Sequence, residues 1–129
     1  MPRWVFPISP VAASRPRVSR RGAYFTGPYK FFRRDMRMLV PEVIGKAFKA
    51  IQSPVAVELD LFVTRPKETK LGVPKPDIDN YIKAVFDSMN GLLWEDDNLI
   101  QEVYARKRWA PKSRDGYFVL NLKKLRRKK

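Results

Sequence analysis

Residues 55–64, VAVELDLFVT, and residues 76–91, PDIDNYIKAVFDSMNG, decide the fold class between them. In the first, Val55, Val57, Leu59, Leu61 and Val63 lie on one side while Glu58 and Asp60 lie on the other, which is the alternation of a half-buried strand. In the second, Ile82, Val85, Phe86 and Met89 recur at the i, i+3, i+4 and i+7 spacing of one helix face. That helix runs from about 78 to 90, and Asn90-Gly91 supplies its stop. A basic, proline-bounded loop, RPKETKLGVPKP (65–76), joins the two elements. A strand feeding a helix, with more strands outside, is an α/β or α+β arrangement.

Working outward, NLIQEVYARKRW (98–109) and GYFVLNLK (116–123) read as two strands, expected as a hairpin joined by APKSRD. Upstream, WVFPI (4–8) reads as a short strand that Pro2, Pro7 and Pro10 restrict to a sheet edge or to a small piece. AASRPRVSRRG (12–22) reads as a basic loop, and AYF (23–25) adds a short strand. From Tyr29 a helical period runs through Phe32, Met36, Leu39, Val43, Ile44, Ala47, Phe48 and Ile51, interrupted by Pro41. Pro41 either starts a second helix at its first position or kinks one long helix, and the favoured expectation is a helix from about 41 to 52, with an irregular or helical lead-in from about 29. The chain's 129 residues suffice for one core. The expectation is a single domain over 1–129, with a small mixed or mostly antiparallel sheet packed with two or three helices.

Composition removes much chemistry. The chain has no cysteine and no histidine. Disulfides, thiolate zinc sites and every Ser-His or Cys-His pair are excluded, so an acid or base must come from Asp, Glu, Lys or Tyr. No apolar run approaches the ~20 residues of a membrane span, and MPRWVFPISP lacks the features of a secretory signal. A cytoplasmic location without membrane partners is expected.

The formal charge is +14, and its distribution is uneven. Residues 1–34 hold eight basic residues and no acid, while residues 103–129 hold eleven basic residues and Asp115. Residues 35–102 carry a net charge of −4. Basic ends of this kind are the footprint of a polyanion-binding protein. The candidate DNA contacts are Arg15, Arg17, Arg20 and Arg21 of the 12–22 loop, Lys75, and Lys123, Lys124, Arg126 and Arg127 of the tail at 123–129.

The acidic centre needs another reason, because carboxylates repel phosphates. Asp77, Asp79, Asp87, Glu95, Asp96, Asp97 and Glu102 fall within 26 residues. Asp77 and Asp79 bracket Ile78 at a helix mouth, where both carboxylates can converge. Asp77 alone would also serve as an N-cap. Lys83 lies one turn after Asp79, as a site residue or as half of an ordinary i,i+4 ion pair. Trp94-Glu95-Asp96-Asp97 follows closely enough to return Asp96 or Asp97 to the same point. Three unpaired carboxylates repel, and a bound Mg²⁺ or Mn²⁺ removes that repulsion. A metal-polarised water can then attack a phosphodiester. Calcium binding and a structural role are the other readings of such spacing.

KPDIDNYIKAVFDSMNGLLWEDDNLI (75–100) resembles the central motif of the RusA family of Holliday junction resolvases, found in bacteria and their prophages. The pattern is Asp-x-Asp-Asn, a lysine one turn later, a Phe-Asp helix end, Asn-Gly, then Trp-x-Asp-Asp. The dense match covers about a fifth of the chain, and the early Arg-Pro-Arg (15–17), central strand and basic C-terminal segment agree in layout. The resemblance implies catalysis by Asp77, Asp79, Lys83 and Asp97. It implies Asp77, Asp79 and Asp97 as metal ligands, with Asp96 the alternative third. It further implies a homodimeric, Mg²⁺-dependent endonuclease that resolves four-way DNA junctions by paired nicks in recombination and repair. A two-fold dimer suits a two-fold junction. Tyr24, Phe25, Phe31 and Phe32 are candidates for core packing or for a wedge at the junction centre. The competing classes are a non-catalytic nucleic-acid binder and a metal nuclease acting on flaps or other branched substrates.

Overall fold

Strand β4 (Val55–Val63) organises the molecule, and Val55, Val57, Leu59 and Leu61 are all buried on one of its faces. The computed structural model describes residues 2–125. Around β4 stand β1 (Arg3–Phe6), β5 (Ile100–Trp109) and β6 (Tyr117–Lys124), in the order β1-β6-β4-β5. β6 runs antiparallel to both β1 and β4, whereas β5 runs parallel to β4. The sheet is therefore mixed and mostly antiparallel. Its β4-to-β5 crossover is made through α2 (Ile78–Met89), as a parallel pair requires.

The expected hairpin of the last two strands does not form, since β4 separates β5 from β6. Side-chain chemistry explains the placement. Phe118, Val119, Leu120 and Leu122 of β6 are all buried, which suits an inner strand paired along both edges. β5 carries Arg106, Lys107 and Arg108, charges that blunt an exposed edge. β1 takes the other edge, where its flanking prolines cost no ladder bonds.

The long helix also differs from expectation. α1 spans Gly27–Ile44 with Pro41 inside it, and residues 45–50 are not helical. Pro28 starts the helix at the position proline prefers. Tyr29, Phe32, Met36 and Val40 form an unbroken buried stripe through the region of Pro41. Continuity of that stripe outweighs the backbone hydrogen bond that Pro41 cannot donate. The helix ends at Gly45, whose φ of 102° suits glycine and whose N–H donates to the Pro41 carbonyl at 3.0 Å.

The 12–22 segment is only partly a loop. β2 (Arg17–Ser19) and β3 (Gly22–Tyr24) pair as a small separate hairpin with Arg20 and Arg21 at its turn. Phe32 is buried and Phe25 packs edge-on against Tyr29 at 5.0 Å, so both belong to the packing of α1. Tyr24 and Phe31 remain exposed. Both helices pack on the face of the sheet that bears Leu59 and Leu61. No helix among the described residues is long and apolar enough to cross a membrane.

Candidate active site

α2 carries Asp79 and Lys83, and begins directly after Asp77, because its sequence divides cleanly. Tyr81, Ala84, Val85, Phe86, Ser88 and Met89 are buried, which turns Asp79 and Lys83 outward. Asp77 occupies the position before the helix in extended conformation, with φ −63° and ψ 145°, and its side chain makes no capping bond. Its carbonyl accepts from the Asn80 N–H at 3.1 Å. Among the described residues neither Asp77 nor Asp79 is in an ion pair. Two free, exposed carboxylates thus stand at the positive end of the helix dipole.

Lys83 turns the other way. Its Nζ lies 3.2 Å from Oδ2 of Asp87, one turn further along, and its side chain is 64% exposed. Asp87 is the residue that local reading passes over. It lies four residues after Lys83, as Asp79 lies four before, so spacing alone cannot choose between them. The Asp79–Lys83–Asp87 row is one ridge, with its end carboxylates about 12 Å apart along the axis.

The return segment meets the far end of this ridge. Trp94 is fully buried, packs edge-on against Phe86 at 5.3 Å and donates from Nε1 to Asn90 Oδ1 at 3.0 Å. Gly91, at φ 80°, allows the tight turn in which its N–H donates to the Trp94 carbonyl at 2.7 Å. Beyond Trp94, Asp96 is committed to local structure. Its Oδ1 accepts from the Asn98 N–H at 3.0 Å and caps the short 3₁₀ turn Asp97–Leu99. Asp97 faces Asp87 instead. Partial burial pushes the Asp97 carboxyl above its ordinary range, and hydrogen bonding and repulsion from Asp96 and Asp87 push it further.

The three aspartates implied as metal ligands are therefore not gathered at one point. Asp77 and Asp79 hold one end of α2, while Asp97 meets Asp87 and Asp96 at the other. Among the described residues no three carboxylates form a group that could hold a metal ion. The donor chemistry still suits Mg²⁺ or Mn²⁺, because carboxyl oxygens suit hard cations and the chain has no imidazole or thiol. Mg²⁺ also does not need an all-protein cage, since one or two carboxylates plus substrate phosphates commonly hold it.

Asp97 yields a prediction with a definite sign. A carboxyl whose folded-state pKa is raised holds its proton more tightly in the folded state. Its contribution is most favourable at acid pH and is lost as pH rises through the folded value. Asp97→Asn, measured without metal, is expected to melt about 2 °C higher than wild type near pH 7, reflecting about 0.5 kcal/mol of relieved desolvation and repulsion. The gain shrinks towards pH 3. Equal melting at both pH values would mean that Asp97 is not crowded.

Beside the ridge lies a cleft of about 430 Å³, lined in part by Arg15, Phe25, Tyr29, Asn80, Lys83 and Asp87. The N-terminal segment forms its far wall, and the Ala13 N–H donates to the Asn80 carbonyl at 2.9 Å. Arg15 is thereby brought to α2, an arrangement the sequence alone does not reveal. Arg17, Arg20 and Arg21 follow on the exposed hairpin, and Lys75 precedes Asp77. Lys123 and Lys124 are exposed where β6 pairs with the start of β4, the end at which β5 begins. Arg126 and Arg127 lie outside the described residues.

Comparison with known proteins gives the chain a family. Residues 7–114 match the family model described as endodeoxyribonuclease RusA. The chain is also similar to the uncharacterized protein YqaN of Bacillus subtilis strain 168. Identity is 27% over 127 residues, covering 81% of this chain and 85% of that protein. The family match takes in β4, α2, the Trp94–Asp97 return and all of β5, so the ridge and its supports lie inside it. This chain belongs to the RusA endodeoxyribonuclease family, a family of nucleases.

Proposed function

We propose that the protein is a structure-selective endonuclease that resolves four-way DNA junctions by paired, Mg²⁺-dependent nicks. The observation that carries the reading is the pair of unengaged carboxylates, Asp77 and Asp79, at the positive end of α2, with Lys83 one turn on and Arg15 across the cleft. Asp77 and Asp79 would hold the divalent ion together with a DNA phosphate, and Asp97, which stands beside Asp87, would reach that ion only if the Trp94–Asp97 return shifted towards the start of α2 on binding. The ion would supply a polarised water and charge neutralisation at the phosphorus.

The chain's own groups divide the remaining work. Lys83, released from Asp87, supplies a positive charge to the leaving oxygen, and exchange between these partners is within side-chain reach. Arg15 and Lys75 flank the carboxylates and hold phosphates on either side. Arg17, Arg20 and Arg21 extend the contact along an arm, reading backbone shape rather than base edges. Two opposed cuts require two such sites, which supports a homodimer related by a two-fold axis. Recombination and repair in a bacterial or prophage-encoded cytoplasmic setting are the roles that accompany this substrate.

The test is a panel of labelled substrates with wild-type protein, with and without Mg²⁺. The expected result is symmetric nicking of a four-way junction at least about 10²-fold faster than nicking of a plain duplex, and none without the ion. Preferred cleavage of a flap or fork keeps the nuclease chemistry and changes the substrate. Tight binding with no cleavage in Mg²⁺ or Mn²⁺ would move the protein to the non-catalytic binders.

A further inference from the structure

We infer that Lys107 is a positioning residue that sets the mouth of α2, and through it the placement of Asp77 and Asp79. The inference rests on the nuclease reading of that helix. Lys107 lies in β5 opposite Leu61, a residue with no exposed surface, on the same side of the sheet as the helices. A lysine facing a core needs partners for its ammonium. Nζ of Lys107 donates to the carbonyls of Pro74 and Pro76, each at 2.7 Å.

The partners explain the residue type. Pro74 and Pro76 carry no N–H, so Lys75 alone offers a backbone donor in that tripeptide. Such a stretch cannot readily satisfy its own carbonyls through turns. Here a side chain with several donors does so, and lysine has three. The Pro76 carbonyl belongs to the peptide group that enters Asp77, so fixing its plane fixes the axis from which the Asp77 side chain departs. Trp109, two residues along the same face, donates from Nε1 to the Leu71 carbonyl at 2.9 Å. β5 thus moors a connection, residues 64–77, that has no regular structure of its own.

The test compares full-length wild type with Lys107→Met and Lys107→Arg. It measures melting, metal-free affinity for a four-way junction, and single-turnover nicking across a Mg²⁺ series. It also follows amide hydrogen exchange at residues 77–81. In Lys107→Met, nicking is expected to fall about 30- to 100-fold, the cost of roughly 1 Å of misplacement. The Mg²⁺ concentration for half-maximal rate is expected to rise about 10-fold. Junction affinity stays within about threefold, since one positive charge at most is lost. Exchange at 77–81 speeds up while exchange in β4 does not. Lys107→Arg, whose guanidinium can also bond two carbonyls, recovers most of the rate.

Nicking by Lys107→Met within threefold of wild type would overturn the inference. Affinity falling in step with the rate would also overturn it, making Lys107 a phosphate contact. Should Lys107→Met not fold, Lys107→Gln carries the same comparison. Wild type that nicks no branched substrate removes the nuclease reading separately, and the exchange at 77–81 then decides the mooring by itself.

Discussion

Asp79→Asn is expected to lower single-turnover nicking of a four-way junction by about 10³-fold or more, while metal-free junction affinity changes by less than about twofold. A loss of 10³ is about 4 kcal/mol of transition-state stabilisation. The structure makes the separation clean. Asp79 is exposed and in no ion pair among the described residues. Its contribution to folding is confined to the helix dipole, about 0.3–1 kcal/mol for a first-turn carboxylate. Asparagine keeps the shape and removes the charge. Melting within about 4 °C of wild type is therefore expected, so lost activity cannot be ascribed to lost fold. Nicking within tenfold of wild type would remove Asp79 from the site. A fall in affinity matching the fall in rate would make its role one of binding.

Junction affinity is expected to fall about 10³-fold as salt rises from ~50 to ~200 mM, which corresponds to roughly six neutralised phosphates. Apart from Lys75, the candidate contacts among the described residues form two groups. Arg15, Arg17, Arg20 and Arg21 lie on the N-terminal segment and hairpin, whereas Lys123 and Lys124 lie at the far end of β6. Each phosphate contact contributes about 0.9 to the slope of log affinity against log salt. Replacing Arg20 and Arg21 together by glutamine should lower that slope by about two, without changing the preference for branched over linear DNA. An unchanged slope would show that the hairpin turn points away from the nucleic acid. Affinity that ignores salt altogether would remove the electrostatic account of binding.

β4 and α2 are legible in the sequence because each states its period within one unbroken segment. The same holds for Asp77 and Asp79, whose place at the helix mouth follows from where that period begins. Partner choice is another matter. The sequences of β5 and β6 say that both are strands, but not that β4 stands between them, because that depends on which edges pair across the sheet. Pro41 misleads for a related reason. Its local preference for a helix start is real, and the stripe from Tyr29 to Val40 overrides it through tertiary packing. Lys83 shows the limit at the site itself, with an aspartate one turn away in each direction and only the folded chain favouring Asp87. Lys107 reads as one more basic residue on a basic strand until its two carbonyl partners are seen.

The strand order has a kinetic consequence. β6 enters the sheet between β1 and β4, so β1 at residues 3–6 finds its ladder partner only at residues 118–121. Such long-range closure is slow compared with forming a local helix. α2 and its aspartates lie between these two strands in the chain, and Lys107 grips the loop ahead of them from β5, which also precedes β6. Until β6 docks, β1 and β4 each lack the ladder partner that stands between them. The sheet that supports α2 is therefore complete only once segments near the two ends of the described residues have met.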